Sequence, residues 1–325
     1  MTSSAGMKAR LIPSFVAAIA GLLATFSLTV AQAATFSIGS YTSLFQGIDY
    51  TTADIEGSSG HSEAFVMRID LNAPGIGFYT TAHSGPLETM SQTTSQFLQA
   101  NGTQVAINAA FFSPCGCSTT SSDAKNLSGL AISNGVQVSA GEVGFASLLL
   151  TQDNLASLVE GSVNPATNGV WTAISGGGFV LKDGANVVNA SLPGDPLNPN
   201  PRSILGLSQD AGVMYLVAID GRRADWSAGV SQSEEAAFMF ALGAYNAINL
   251  DGGGSTALVV EGSDGLPHEV NRPSGNAERY NGNNFGIYAN ALPSPVPLPA
   301  GVWLLGSGLA SLAMAARRRR LATLS

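Results

Sequence analysis

The stretch Asn249-Leu-Asp251-Gly-Gly-Gly-Ser255-Thr256 separates two apolar runs, 245–250 and 257–260, that are predicted to be buried strands. Its three consecutive glycines allow a sharp turn in which backbone N–H groups approach a ligand closely, and Asp251 enters this turn from a strand end. A polar loop between buried strands therefore predicts a sugar or phosphate site. The alternative is a tight hairpin with Asp251 as an Asx-turn residue. The loop has neither the lysine of a P-loop nor the spacing of a dinucleotide fingerprint, so it does not support binding of ATP or NAD.

Apolar runs on both sides of this loop predict a strand-rich domain over residues 34–291. These further runs are 64–71, 104–112, 129–132, 145–150, 214–219 and 285–288. Two segments, 88–100 and 233–244, carry apolar residues on one face and are predicted to be helices. A regular alternation of strands and helices is missing, which disfavours a doubly wound nucleotide-binding fold. We predict a single α+β domain with a mixed or antiparallel sheet and a few helices.

The N-terminal segment 1–33 has the pattern of a secretory signal peptide. Lys8 and Arg10 precede a mostly apolar run, 11–30, and Ala31-Gln-Ala33 matches the small-x-small rule for cleavage. We expect signal peptidase to cleave after Ala33, with an uncleaved membrane anchor as the alternative. Either outcome exports the chain from the cytoplasm.

The C-terminal segment 292–325 combines a Pro-rich linker, an apolar run at 300–316 and four arginines at 317–320. The run is about 25 Å long as a helix, against a hydrocarbon core of about 30 Å, which suits a short, removable transmembrane segment. The arginines fit a cytoplasmic stop. The stretch Val296-Pro-Leu-Pro-Ala-Gly-Val-Trp303 with its arginine tail resembles the PEP-CTERM sorting signals of Gram-negative bacteria. The resemblance implies processing by an exosortase and a destination in the cell envelope or extracellular matrix; a plain anchor is the alternative.

The charge of the central domain argues against a nucleic-acid partner. The chain has 14 basic and 22 acidic residues, and six of the basic residues lie in the two terminal segments. The central domain thus keeps eight basic residues against all 22 acidic ones, a charge near −14. Such a surface repels phosphate polyanions over long range. Charged residues are only 11% and hydrophobic residues 45% of the chain, which also excludes a disordered acidic protein.

The histidines and cysteines exclude several enzyme classes. None of the three histidines stands in an HExxH pattern, two cysteines cannot build a structural zinc site, and no GxSxG elbow is present. Cys115 and Cys117 are candidates for a local disulfide outside the cytoplasm, although one intervening residue would strain the bridge. A catalytic thiol is less favoured because no cationic neighbour in sequence would lower its pKa.

Three further polar segments follow or precede predicted strands. Asp220-Gly-Arg222 follows the run 214–219, Glu234 belongs to the capping box that begins at Ser231, and Arg202 precedes a strand. The arginines are suited to bidentate binding of phosphate, with a surface ion pair as the alternative. Glu234 is a second carboxylate candidate or simply a helix cap.

Taken in chain order, these motifs resemble the phosphodiester glycosidase family over about residues 105–289. The matching segments are Ala106 to Phe112, Ser175 to Gly178, Asn200-Pro-Arg202-Ser203, Asp220-Gly-Arg222, Ser227 to Glu234, Asn249 to Thr256 and Val270 to Arg279. Two departures are Asn108-Ala109-Ala110, where the family usually has Asn-Gly-Gly, and Arg202-Ser203, where it usually has Arg-Thr.

The resemblance implies hydrolysis of a sugar 1-phosphodiester, of the N-acetylglucosamine-1-phosphodiester type, at the glycosidic bond. The carboxylates of Asp251, Glu234 and Asp220 would serve an oxocarbenium-like transition state, and Arg202 and Arg222 would bind the phosphate. The remaining candidates for binding sugar or phosphate are Asn108, Asn249, Gly252, Gly253, Gly254, Ser255, Thr256, Asn271 and Arg279. The sequence establishes no cofactor, and a divalent cation bound by Asp220, Glu234 or Asp251 is left open.

Two other functions fit the sequence less well. One is an exported glycan-binding or exopolysaccharide matrix protein without turnover. The other is a phosphodiesterase that cuts the P–O bond, for which a divalent ion would be expected.

Overall fold

The computed structural model describes residues 1–2, 34–115, 121–163, 166–275 and 277–293. The predicted signal peptide beyond residue 2, the tail from residue 294 and Cys117 lie outside them. Cys115 is disulfide-bonded. Among the described residues, no helix is long and apolar enough to cross a membrane.

The strands of the first half of the domain are short and closely spaced along the chain. They are β1 (Thr35–Ile38), β2 (Thr42–Phe45), β3 (Ile48–Gly57), β4 (Gly60–Asp70), β5 (Gly77–Thr80), β6 (Thr89–Met90), β7 (Val105–Asn108), β8 (Phe112–Ser113), β9 (Ala124–Leu127), β10 (Ala131–Ser133), β11 (Val136–Ser139), β12 (Ala146–Thr151) and β13 (Ala156–Val159).

The second half continues in the same way. Its strands are β14 (Val170–Gly176), β15 (Phe179–Lys182), β16 (Ala185–Asn186), β17 (Arg202–Leu207), β18 (Val213–Ile219), β19 (Asn246–Asn249), β20 (Leu258–Glu261), β21 (Pro267–Glu269) and β22 (Asn284–Tyr288). The helices are α1 (Thr94–Asn101) and α2 (Gln232–Leu242), with one 3-10 turn at Gly253–Ser255.

These strands form four sheets, and all of the strand pairs are antiparallel in the described part of the chain. The largest has the order β1-β3-β4-β18-β17-β19-β15-β16, with β2 also paired to β3. Two five-stranded sheets have the orders β11-β10-β14-β12-β13 and β21-β20-β7-β22-β5, and a small sheet has the order β6-β9-β8.

The predicted α+β class is wrong, because the fold is essentially all-β, with 43% of the described residues in strands and 9% in helices. Antiparallel strands can be joined by short turns, so this sheet arrangement needs no crossover helices. The predicted helix 88–100 is shorter than expected for a local reason. Thr89–Met90 pairs with β9, and Thr93 caps the helix that follows by accepting a hydrogen bond from the Gln96 N–H.

Side-chain alternation along β18 shows how the main core is layered. Met214, Leu216 and Ala218 face the cluster shared with the two five-stranded sheets, whereas Tyr215 and Val217 face the cluster shared with α2. The largest sheet is therefore buried on both faces. This explains why its central strands are continuous apolar runs in the sequence rather than alternating ones.

The register of this sheet brings several strand ends to one place. Arg202 at the start of β17 pairs with Ile219 at the end of β18, and Ile204 pairs with Asn249 at the end of β19. The loops that follow β18 and β19 consequently meet the loop that precedes β17.

Candidate active site

Asn108 ties three of the converging segments together. Its side-chain N–H donates to the carbonyl of Asp251 at 2.5 Å, and its carbonyl accepts from the Ser203 hydroxyl at 2.6 Å and from the Ala257 N–H at 3.1 Å. The side chain is completely buried. Asn108 therefore holds the start of the glycine-rich loop next to β17.

A cavity of about 260 Å³ opens where these loops meet. Its size lies near the lower end of small-molecule sites. The lining residues are Phe111, Gly194, Asp195, Asn200, Arg202, Arg222, Asp251, Gly252 and Gly253. Five of these were predicted from the sequence, and the remaining four were not.

Asp251 lies half-buried at this cavity, and its backbone N–H donates to the Ala109 carbonyl at 2.8 Å. Burial raises the pKa of its carboxyl to about 6, against the opposing effects of a hydrogen bond from Ser255, the charge of Arg279 and the Gly252 N–H. Asp251 is thus a carboxylic acid that holds its proton into the mildly acidic range.

Asp195 is the second carboxylate of the cavity and has the opposite character. It is exposed, and it accepts hydrogen bonds from the side-chain amides of Asn198 at 2.7 Å and Asn200 at 3.1 Å. These hydrogen bonds lower the pKa of Asp195 below its ordinary value. The two aspartates therefore differ in protonation state between their two pKa values, which is the arrangement expected of an acid and a base or nucleophile.

Arg222 supplies positive charge to the same cavity. Its Nε and Nη2 donate to the Asn200 side-chain carbonyl at 3.1 and 2.7 Å, and no carboxylate of the described residues lies within 4.0 Å of its guanidinium. Its backbone has φ +59°, which is unusual for a residue other than glycine. Asn200 thus orients both Asp195 and Arg222.

The glycines of the loop make room for two arginines. A Cβ at Gly253 would lie 3.2 Å from the Arg222 guanidinium, and the Arg279 guanidinium covers Gly254. Gly253 also has φ +62°, which favours glycine. The Gly253 N–H donates to the Pro201 carbonyl at 2.9 Å, so it is already used within the protein.

Arg202 is 1% exposed and belongs to the cavity lining. Its guanidinium donates to the carbonyls of Val230 at 2.9 Å, Gly194 at 2.6 Å, Asp195 at 2.9 Å and Asn198 at 2.8 Å. Four of its five N–H groups are therefore used on backbone. The structure makes Arg202 the support of the loop that carries Asp195.

Asp220 and Asn271 lie beside the cavity lining, in the core. The Asp220 carboxylate is fully buried and accepts from Trp226 Nε1 at 2.9 Å, the Arg272 N–H at 3.0 Å and Asn271 Nδ2 at 3.2 Å. Burial raises the pKa of Asp220 despite these bonds. Asn271 also accepts from the Leu258 N–H at 2.7 Å. Both side chains connect the 220–226 loop to β20.

Glu234 caps helix α2, which was the alternative to a catalytic role in the sequence analysis. Its carboxylate accepts from the backbone N–H groups of Ser58 at 2.6 Å and Ser231 at 2.8 Å. Burial alone would raise the pKa of Glu234, but these hydrogen bonds lower it. Glu234 does not line the cavity, and Asp220, Glu234 and Asp251 do not form a ligand cluster in the described part of the chain.

The remaining predicted residues are Asn249, Ser255 and Thr256, which belong to the segment of the glycine-rich loop. Ser255 is buried, with its hydroxyl 3.4 Å from Arg279 Nη1. Asn249 and Thr256 are also buried, and within the described ranges the Asn249 amide and the Thr256 hydroxyl have no hydrogen-bond partner. None of these three lines the cavity itself.

Asp195 and Asn200 are the functional candidates that the sequence analysis missed. The segment Gly194-Asp195-Pro196 resembles an ordinary turn, so it carries no local signal of a site. Asn200 belongs to the motif Asn200-Pro-Arg202-Ser203, in which only Arg202 was predicted to bind a ligand. Phe111, which packs edge-on against Phe145 with ring centroids 6.1 Å apart, likewise stood inside a recognised motif without a role.

A family model described as phosphodiester glycosidase matches residues 101–288, more than half of the chain. The chain belongs to the phosphodiester glycosidase family. The match includes every residue that lines the cavity. No curated protein sequence is similar enough to this family member to match it.

Three solved structures share the fold of this phosphodiester glycosidase family member. The catalytic domain of zebrafish N-acetylglucosamine-1-phosphodiester alpha-N-acetylglucosaminidase, auto-inhibited by its pro-peptide, has a TM-score of 0.59 and 18% identity, with 80% of this chain and 89% of that chain covered. A hypothetical protein from Synechocystis has a TM-score of 0.56 and 16% identity, with 75% and 62% covered. A protein of Burkholderia pseudomallei described as exported has a TM-score of 0.54 and 14% identity, with 79% and 97% covered.

The raised pKa of Asp251 predicts how its replacement changes stability with pH. Because the folded state binds the Asp251 proton more tightly than the unfolded chain, this contribution to stability is present below pH 3.8 and is lost as pH rises through about 6. Relative to wild type, Asp251→Asn should gain up to about 3 kcal/mol between pH 4 and pH 7.

Urea unfolding of both proteins across this pH range measures the difference. Asp210→Asn is the control, because Asp210 is exposed and hydrogen bonds lower the pKa of its carboxyl. Parallel stability curves for wild type and Asp251→Asn would contradict the raised pKa of Asp251.

Proposed function

We propose that this chain is an exported hydrolase that cleaves a sugar 1-phosphodiester, of the N-acetylglucosamine-1-phosphodiester type, at the glycosidic bond. The observation that carries the proposal is the presence, in one small cavity, of two aspartates with opposite pKa shifts and of Arg222, which has no carboxylate of the described residues within 4.0 Å. Membership of the phosphodiester glycosidase family supports the reaction class.

The carboxylates match what breaking the anomeric C–O bond requires. The transition state resembles an oxocarbenium ion, which an ionised carboxylate stabilises directly or through the water that it activates. We assign this role to Asp195. Asp251, protonated below about pH 6, donates its proton to the departing phosphate oxygen. A phosphate monoester is a good leaving group, so an acid of this modest strength is sufficient.

Arg222 binds the phosphate. Its Nη1 is the guanidinium nitrogen that Asn200 does not hold, and the guanidinium stands over Gly253 at the cavity. Charge-assisted hydrogen bonds to the non-bridging oxygens would strengthen as negative charge develops on the leaving group. Phe111 contributes an apolar wall against which a sugar ring can pack.

Arg202, Asp220 and Asn108 have no direct part in this proposal. Arg202 and Asn108 position the two loops that carry the aspartates, and Asp220, which accepts from Trp226 Nε1, holds the segment that carries Arg222. Glu234 caps a helix.

Export of the enzyme is part of the proposal and depends on the terminal segments of the sequence. Signal peptidase would remove 1–33, and an exosortase-type enzyme would act on the tail after transient membrane anchoring. One structurally similar protein is described as exported. The expected destination is the Gram-negative cell envelope or extracellular matrix, where sugar phosphodiesters and glycans are the substrates to test.

The two aspartates predict the pH dependence of turnover. With an N-acetylglucosamine-1-phosphodiester as substrate, kcat/KM should fall above about pH 6, as Asp251 loses its proton, and at low pH as Asp195 gains one. Asp195→Asn and Asp251→Asn should each lower kcat about 10²- to 10⁴-fold, the usual contribution of an acid or base.

Steady-state kinetics across pH 3 to 9 test this prediction, with Asp210→Asn as a matched exposed control. In Asp251→Asn the fall in activity above pH 6 should disappear together with most of the rate. Wild-type turnover in Asp251→Asn would refute the assignment of Asp251 as the acid.

Replacing Arg222 tests the phosphate site separately. Arg222→Met should lower kcat/KM for the diester about 10- to 100-fold, because it removes charged hydrogen bonds worth about 1.5–3 kcal/mol. The loss should be much smaller for a glycoside of the same sugar with an uncharged leaving group. Arg68→Met, which breaks the partly exposed Arg68–Asp49 pair outside the cavity, is the control and should keep full activity.

Equal losses of activity toward the charged and the uncharged substrate would show that Arg222 is needed for the fold of the site and does not recognise phosphate.

A further inference from the structure

The β3–β4 hairpin carries a histidine among three carboxylates, outside the cavity described above. In its antiparallel register Asp54 pairs with Glu63, and Glu56 pairs with His61. Paired residues share one face of a sheet, as do residues two apart along a strand. The four side chains therefore stand together on one face of the hairpin.

The two ring nitrogens of His61 have different surroundings. Nδ1 lies 3.1 Å from a Glu56 oxygen, whereas Nε2 lies 3.2 Å from a Glu63 oxygen and 3.8 Å from an Asp54 oxygen. One ligand atom each from Asp54, His61 and Glu63 lie within 4.8 Å of one another. The ligand atoms of a small divalent ion, at bond lengths of about 2.0–2.2 Å, have separations of this order.

Both ring nitrogens lie within hydrogen-bond distance of a glutamate oxygen, so a doubly protonated His61 donates to Glu56 and Glu63 when no cation is bound. Asp54 and Glu63 repel as like charges directly opposite across two strands. A divalent cation in place of the Nε2 proton would contact His61 Nε2 and both carboxylates and would relieve this repulsion.

The Glu56 contact is a separate observation that points in the same direction. A metal-ligating histidine usually donates its second ring N–H to a carboxylate, which fixes the tautomer and the orientation of the ring. The hairpin supplies this carboxylate on the side of the ring opposite Asp54 and Glu63. His268, by contrast, contacts a single carboxylate, that of Asp264 at 2.9 Å.

We propose that Asp54, His61 and Glu63 bind a divalent transition-metal ion, with Zn²⁺ as the probe. The ligands would be His61 Nε2 and one oxygen from each carboxylate, and water would complete the coordination because the three side chains are partly exposed. An imidazole ligand favours zinc-like ions over Ca²⁺ and Mg²⁺, which prefer oxygen ligands only.

The site is placed to stabilise the loop that carries Arg222. The carbonyl of His61 accepts from the Ala228 N–H at 2.9 Å, and the carbonyl of Glu63 accepts from the Asp220 N–H at 3.0 Å. An ion held on the hairpin would therefore fix the strand to which the 220–228 segment is bonded. Its binding does not depend on the proposed hydrolysis.

Isothermal titration of the chelator-treated protein with Zn²⁺, and separately with Ca²⁺, tests the proposal alongside thermal unfolding with and without Zn²⁺. The expected result is one Zn²⁺ per chain, much weaker binding of Ca²⁺ and a higher unfolding temperature with Zn²⁺. His61→Ala should abolish binding at this site, and Glu56→Gln should weaken it about 10- to 100-fold.

The matched control is His268→Ala, which should bind Zn²⁺ as wild type does. The proposal is overturned if wild type binds no Zn²⁺, if His61→Ala binds as tightly as wild type, or if His268→Ala loses the binding.

Discussion

The buried guanidinium of Arg202 is the interaction on which the candidate site depends. A charge in the core is costly unless it is paired and hydrogen-bonded, and here four backbone carbonyls and Glu235, 3.8 Å away, surround it. Three of those carbonyls belong to residues 194–198. The loop that carries Asp195 is therefore held against β17, although it has no regular secondary structure of its own.

Although the domain is strongly acidic, four of its arginines lie close together. Four arginines, half of the basic residues between the two terminal segments, have no carboxylate of the described residues within 4.0 Å; they are Arg222, Arg223, Arg272 and Arg279. They occupy two loops that contact each other, since Arg223 donates to the Pro273 carbonyl and Arg272 stacks on Trp226 at 3.9 Å. Guanidinium groups without a close carboxylate can bind a small anion, while the acidic surface as a whole disfavours large polyanions.

Features that depend on local sequence were predicted well, and those that depend on tertiary contacts were not. The apolar runs form strands because a sheet that is buried on both faces is built from continuous apolar segments. The glycine-rich loop forms a turn at its three consecutive glycines. The α+β prediction was wrong because the antiparallel strands are joined by short turns, so the two short helices of the described residues are a minor part of the fold. Asp195 could not be found because its place in the cavity depends on hydrogen bonds to Arg202, which sequence spacing does not show.

The position of bond cleavage distinguishes a glycosidase from a phosphodiesterase. The purified protein is incubated with an N-acetylglucosamine-1-phosphodiester in oxygen-18 water, and the products are identified by mass spectrometry. Cleavage of the glycosidic bond should give free sugar that carries the label and an unlabelled phosphate monoester, because water attacks the anomeric carbon. Label in the phosphate would show P–O cleavage and contradict glycosidase activity, and so would the absence of turnover of several such diesters by a protein that still binds the glycan.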